Sequence, residues 1–161
     1  MKGVLICGGT GSRLRPLTEV TNKSLLPVYD EPLIYYPLMT LLNAGISEVV
    51  VISGSENFAQ LSGFLGSGAK YGCEFTYRVQ ETPAGIAHAL GLAKEFADQE
   101  DICAILGDNI YLDDISKTID VFKSGGHVFL KEVHDPERFG VGEMKDGKIV
   151  YQKRFPAKPY A

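Results

Sequence analysis

The chain has little that would tie it to a membrane, to nucleic acid or to an oxidising compartment. None of its 161 residues fall in a run of about 18 apolar positions that could cross a bilayer as a helix. Met1-Lys2-Gly3 leads straight into an apolar strand instead of a charged n-region and a signal-peptide h-region, so the expected location is cytoplasmic. Positive charge is not in excess. The net charge of -4 leaves no electrostatic footprint for a nucleic-acid polymer. Cysteine is scarce: Cys7, Cys73 and Cys103 are odd in number, widely spaced and set among apolar residues, which suits reduced thiols. His88, His127 and His134 never occur at a metal-ligand spacing such as i,i+4 and read as ordinary core or surface histidines. Internal repeats, low-complexity tracts and linkers are also missing.

What is present is the make-up of an ordinary globular domain, 45% apolar and 22% charged, long enough to bury roughly 70% of its unfolded surface. Short apolar runs alternate with stretches of helical period. Strands are expected at Gly3–Cys7, Glu48–Ser53, Glu74–Val79, Ile102–Leu106 and His127–Val133. Helices are expected at Ile34–Ala44, Glu56–Leu65, Ala84–Ala97 and Asp113–Phe122, the first ending at Gly45 and holding Pro37 in its first turn. This alternation implies an α/β fold with a doubly wound, mainly parallel sheet, Rossmann-like in character. Asp146-Gly147, between two apolar-polar alternating segments, predicts an antiparallel hairpin added to that sheet near the C-terminus. Asp30-Glu31 and Asp113-Asp114 read as helix N-terminal caps.

The chemistry concentrates after the first strand, in Gly8-Gly9-Thr10-Gly11-Ser12-Arg13 and, further on, Asn22-Lys23. Three glycines in four positions let backbone N–H groups turn toward an anion, while Arg13 and Lys23 supply charge to a polyphosphate. A dinucleotide-binding G-x-G-x-x-G beginning at Gly9 would need glycine in place of Leu14. A Walker A loop would need its second glycine where Asn22 stands. The loop is therefore a different triphosphate device. Arg13 can fork across two phosphate oxygens and follow a departing pyrophosphate, whereas the Lys23 ammonium is a point charge suited to the α-phosphate. Arg15 reads as structural or solvent-facing.

In open α/β sheets ligands sit beyond the carboxyl ends of the strands, where the strand order reverses. That rule brings the glycine loop together with Gln80, after one strand, and with Gly107-Asp108-Asn109, after another. A lone carboxylate at such a strand end is costly to bury but can hold Mg²⁺ shared with substrate phosphates, so Asp108 is the expected metal ligand. The Gln80 amide, both donor and acceptor, can pair with the N3–H and a carbonyl of thymine or uracil, or can cap a turn. Gly85, at a helix start, would let a base or ribose approach the backbone.

These residues, with Pro32-Leu-Ile-Tyr-Tyr-Pro37, Phe64-Leu-Gly-Ser-Gly68, Ile105-Leu-Gly-Asp-Asn109 and Asp135-Pro-Glu-Arg-Phe-Gly-Val141, resemble the sugar-1-phosphate nucleotidyltransferase family, and within it the short bacterial thymidylyltransferases. The resemblance implies a Mg²⁺-assisted enzyme that transfers a thymidylyl group from dTTP to glucose 1-phosphate and releases pyrophosphate. It places Arg13, Lys23 and Asp108 in catalysis, with Gly8, Gly9, Thr10, Gly11, Ser12, Gln80 and Gly85 on the nucleotide. Asn109, Gly140 and Lys153 then lie on the sugar-phosphate side. It further implies one domain over 1–161, with a nucleotide-binding part at 1–133 and the start of a sugar-binding part at 134–161, and a homo-oligomer. Family members extend further, so the chain is expected to be the nucleotide half. The sequence departs from the family at Gln152-Lys153-Arg154, where Glu-Lys-Pro is usual, and at Ala84 and His88. An alternative reading is a module that binds dTTP or UTP without turning it over.

Overall fold

The computed structural model describes residues 1–9, 11–135 and 139–154. The chain divides into two compact units, Met1–Val121 and Phe122–Ala161.

The first unit is built on four parallel strands: β1 (Lys2–Cys7), β4 (Glu48–Gly54), β5 (Glu74–Gln80) and β6 (Ile102–Leu106), in the spatial order β5-β4-β1-β6. A small antiparallel ribbon, β2 (Pro27–Val28) and β3 (Glu31–Pro32), intervenes in sequence. The helices are α1 (Tyr35–Asn43), α2 (Ser55–Leu65), α3 (Ile86–Leu92), α4 (Lys94–Ala97) and α5 (Ser116–Val121). Continuous apolar runs such as Val4-Leu-Ile and Val49-Val-Val-Ile form strands here because both faces of the sheet are covered. Alternation along the strands sorts the core into two clusters. Leu5, Val49, Val51 and Ile105 pack with Ile34, Leu38, Leu41, Leu61 and Leu65 of the α1 and α2 segments. Val4, Ile6, Val50 and Ile52 pack with Ala89 and Ala93 of the α3–α4 segment.

Handedness explains this division. The chain moves outward from β1 to β4 to β5 through α1 and α2, then returns across β1 to β6 through α3 and α4. A right-handed crossover in the reverse direction must pass over the opposite face. The reversal therefore leaves a crevice between the carboxyl ends of β1 and β6.

Most expected elements are present with shifts of one or two residues. Helix α1 stops as expected at Gly45: the Gly45 N–H donates to the Leu42 carbonyl and the Ile46 N–H to that of Leu41, satisfying two orphan acceptors. The expected helix over 84–97 is broken in two. Gly85 holds a backbone conformation that delays the start to Ile86, and a tight turn at Ala93, whose N–H donates to the Leu90 carbonyl, separates α3 from α4. The last helix begins at Ser116, whose N–H donates to the Asp114 carboxylate at 2.9 Å; those Ser116 hydrogen bonds hold Asp114 below the ordinary aspartate pKa. Asp30 and Glu31 cap no helix. They form the turn and first strand residue of the β2–β3 ribbon.

In the second unit, β7 (Gly140–Lys145) and β8 (Lys148–Arg154) form the expected antiparallel hairpin around Asp146-Gly147. It is a two-stranded sheet of its own and not an addition to the four-stranded one. The strand expected at His127–Val133 does not form: Val128, Phe129 and Leu130 are half exposed and no ladder includes them. Apolar and β-branched residues favour a strand only where an edge is there to pair with.

Leu38 is fully buried where α1 meets the sheet. Its replacement in Leu38→Ala is expected to cost about 2–5 kcal/mol, read as a lower denaturation midpoint at unchanged slope, as for a cavity left in a well-packed core.

Candidate functional site

The crevice is assembled from strand ends. After β1, the backbone passes through Gly8 and Gly9 to Gly11, which is left-handed at φ 58° and precedes a 3-10 turn, Ser12–Leu14. The Leu14 N–H and the Thr18 hydroxyl both donate to the Gly11 carbonyl, at 2.8 Å each. A Cβ at Gly11 would stand 2.7 Å from Thr18 Cγ2, so both conformation and space require glycine there. Gly8 and Gly9 are exposed, as are Ser12 and Arg13 on the turn. Thr10, expected on the nucleotide, lies outside the described residues.

Lys23 is held by its neighbour. Asn22 is buried and caps the 3-10 turn Lys23–Leu25, its side-chain oxygen accepting from the Ser24 N–H at 2.7 Å. Gln60 on α2 grips the same loop from outside, accepting from the Asn22 N–H and donating to the Val20 carbonyl, both at 3.1 Å. From this anchored turn Lys23 Nζ reaches Asp108 Oδ2 at 2.6 Å, across 85 residues of sequence. Their side chains are 37% and 35% exposed. An ion pair that open to water contributes about 0–1 kcal/mol, too little to explain its placement by stability. It can open for a ligand at correspondingly small cost.

Asp108 follows β6 through Gly107. The Gly107 N–H donates to the Ile6 carbonyl at 2.8 Å, and a Cβ on Gly107 would lie 2.7 Å from Cys7 Sγ and 3.1 Å from Ser24 Oγ. This close approach draws the β6 end against the β1 end. Burial pushes the Cys7 thiol up to about 12, against a lowering hydrogen bond from Ser24, with the Asp108 charge raising it further. Cys7 is therefore a protonated packing residue and not a nucleophile. Asn109 continues the turn, its N–H donating to the Leu106 carbonyl at 3.1 Å.

At the end of β5, Gln80 is buried. Its Nε2 donates to the Gly85 carbonyl at 3.1 Å and lies 3.0 Å from His88 Nδ1. Its Oε1 lies 3.3 Å from where a Cβ on Gly8 would stand. The structure thus gathers Gly8, Lys23, Gln80, Gly85, Asp108 and Asn109 at the strand ends of the first unit. Gly140 and Lys153 are the first residue of β7 and a residue of β8, opposite Arg154 and Val141 respectively, in the second unit.

Beside the crevice is a recess of about 340 Å³ lined by Gly9, Arg15, Thr18, Asn22, Lys23 and Glu56, among others. Arg15, expected to be structural or solvent-facing, is exposed and borders this recess, whereas Arg13 does not line it. Gln60 and Ser24 were given no role in the sequence reading, and His88 was noted only as an ordinary histidine and a departure from the family. Gly107 was placed at the crevice with Asp108 and Asn109, but its close packing against Cys7 and Ser24 was not foreseen.

Comparison with known proteins is decisive at this point. A family model described as nucleotidyl transferase matches residues 2–160. The chain belongs to the nucleotidyl transferase family. A glucose-1-phosphate thymidylyltransferase of Xanthomonas campestris is 40% identical over 98% of this chain and 55% of its own length. A low-salt glycan biosynthesis nucleotidyltransferase of Haloferax volcanii is 41% identical over 99% of this chain and 46% of its own. The chain spans about half the length of these curated relatives. A Bacillus anthracis crystal structure described as a glucose-1-phosphate thymidylyltransferase, in complex with sucrose, superposes with a TM-score of 0.92 at 46% identity, over 99% of this chain and 66% of that one. A UTP-bound protein of Acinetobacter baumannii at 23% identity and a TM-score of 0.63, over 74% of this chain and 51% of its own, shares the fold.

For this nucleotidyl transferase domain, the contact between the β1 and β6 ends is directly testable. Gly107→Ala is expected to destabilise the fold by about 1–3 kcal/mol through overpacking against Cys7. In Cys7→Ala/Gly107→Ala the loss should fall short of the sum of the two single changes by about 1 kcal/mol. Additive losses in denaturant titrations would show that the two strand ends are not in contact.

Proposed function

We propose that this domain transfers a thymidylyl group from dTTP, or a uridylyl group from UTP, to glucose 1-phosphate, yielding the nucleoside diphosphate sugar and pyrophosphate. The observation that carries the reading is the Lys23–Asp108 pair, 2.6 Å apart where the strand order reverses and next to a glycine loop. A cation and a carboxylate in that position match the two needs of a triphosphate, charge neutralisation and metal sharing. Relatives that align with nearly the whole chain are glucose-1-phosphate thymidylyltransferases, which supports the same reaction.

In this reading the phosphate oxygen of glucose 1-phosphate attacks the α-phosphorus of the nucleotide in line, and pyrophosphate leaves. Lys23 exchanges its bond to Asp108 for α-phosphate oxygens, and Arg13 follows the charge of the leaving pyrophosphate. Gly8, Gly9, Thr10, Gly11 and Ser12 offer backbone donors to the polyphosphate. Gln80 and Gly85 meet the base, and Asn109 meets the sugar phosphate. The chemistry is positioning and electrostatics, with no covalent intermediate, consistent with a protonated, buried Cys7.

Among the described residues no group of three or more His, Cys, Asp or Glu could form a metal cage. Asp108 is a single carboxylate, a third exposed. That donor set fits Mg²⁺, which is ordinarily bound by one or two carboxylates together with substrate phosphates and water. Magnesium, when bound, would neutralise charge on the phosphate oxygens, with Asp108 as its ligand from this chain. Cytoplasmic action and a homo-oligomeric state complete the proposal. The first draws on three free cysteines, and on the lack among the described residues of a helix long and apolar enough to cross a membrane.

Pyrophosphate release from dTTP, glucose 1-phosphate and Mg²⁺ tests the reading. Asp108→Asn is expected to lower turnover by about 100-fold or more with an unchanged unfolding midpoint, whereas a loss within about tenfold, ~1.4 kcal/mol, would remove Asp108 from the chemistry. Binding of dTTP with no pyrophosphate release by the unaltered chain would make it a nucleotide-binding module.

A further inference from the structure

Gln80 is buried at the end of β5, and its amide is oriented by two partners. The Gly85 carbonyl, 3.1 Å away, only accepts, so the nitrogen of the amide must face it. Gly85 adopts φ 89° and ψ -179°, a conformation costly for any side-chain-bearing residue, and this turns its carbonyl toward Gln80. The second N–H of the amide then points to His88 Nδ1 at 3.0 Å. A donor facing Nδ1 requires that nitrogen to accept, which puts the proton of the neutral ring on Nε2. Both amide donors are thereby used. The oxygen remains, beside Gly8 at the mouth of the glycine loop, and no described side chain or backbone group is recorded donating to it.

The geometry points to His88 as a positioning residue that presents Gln80 to the nucleobase as an acceptor only. This rests on the reading of Gln80 as the base contact and adds to it a rule of selection. An acceptor-only amide takes a base whose ring N–H is a donor, such as the imide N3–H of thymine or uracil. It opposes cytosine and adenine, whose corresponding ring nitrogens are acceptors. The neighbouring carbonyl of the base must then be met by other donors, and Gln80 contributes one bond instead of two. Without His88 the amide is held by the Gly85 carbonyl alone, so a flip that turns an N–H toward a cytosine ring nitrogen gives up one hydrogen bond instead of two.

The test has two arms. In the nucleotide-free protein at mildly alkaline pH, long-range nitrogen–proton NMR correlations should show the His88 ring protonated at Nε2. A ring protonated at Nδ1 would overturn the inference whatever the nucleotide. Calorimetric titration with dTTP and dCTP then compares the unaltered chain, His88→Leu and His88→Gln. The unaltered chain should prefer dTTP. His88→Leu should narrow that preference by about fivefold, the worth of one hydrogen bond, and His88→Gln, which returns an acceptor carbonyl, should restore it. An unchanged preference in His88→Leu would overturn the positioning role alone. A chain with no preference for dTTP before any substitution would instead overturn the base-contact reading, and the selection rule with it.

Discussion

The fold depends most on the reversal of direction at β1. Helices α1 and α2 lie on one face because the chain first winds outward through β4 and β5, and α3 and α4 on the other because it returns to β6. Every group of interest in the first unit stands at the carboxyl end of a strand, around the gap that this reversal opens. The gap is narrow because glycine stands at 107: with any side chain there, the Ile6 carbonyl, Cys7 and Ser24 would push the β6 end away. The distance between Lys23 and Asp108 therefore depends on a contact that neither residue makes.

Around that gap the structure spends its order unequally. Lys23 projects from a turn fixed by a buried asparagine and a glutamine from α2, and Gln80 is buried with its donors engaged. Asp108 and Lys23 meet in water, where their mutual attraction is worth little. A rigid frame carrying a weakly held pair of opposite charges is what a site for a polyphosphate and a divalent cation requires. The charges must be in place beforehand and must part readily.

The sequence carried the frame clearly because a parallel sheet covered on both faces leaves uninterrupted apolar strands, and these mark where each strand ends. From those ends alone, Lys23, Gln80 and Asp108 could be brought toward one crevice, although their chemistry is not thereby shown. Elements whose fate depends on a neighbour were less legible. The run 127–133 has strand composition without a strand's pairing, and the helix expected through 84–97 breaks at Ala93, which has no breaker chemistry of its own. The orientation of Gln80 was hidden for the same reason. Its amide can cap a turn or meet a base, and which atoms are left over is decided by a glycine carbonyl five residues on and a histidine eight residues on.

The central claim is that the crevice between the β1 and β6 ends receives a nucleoside triphosphate. Hydrogen exchange of the amides, with and without dTTP and Mg²⁺, measures this most directly. The account predicts added protection confined to the loop over residues 8–15, the turn over 22–25 and the strand ends at 80–85 and 107–109. Protection centred elsewhere, for example on the separate recess lined by Gly63 to Lys70, would contradict it, as would the absence of any change.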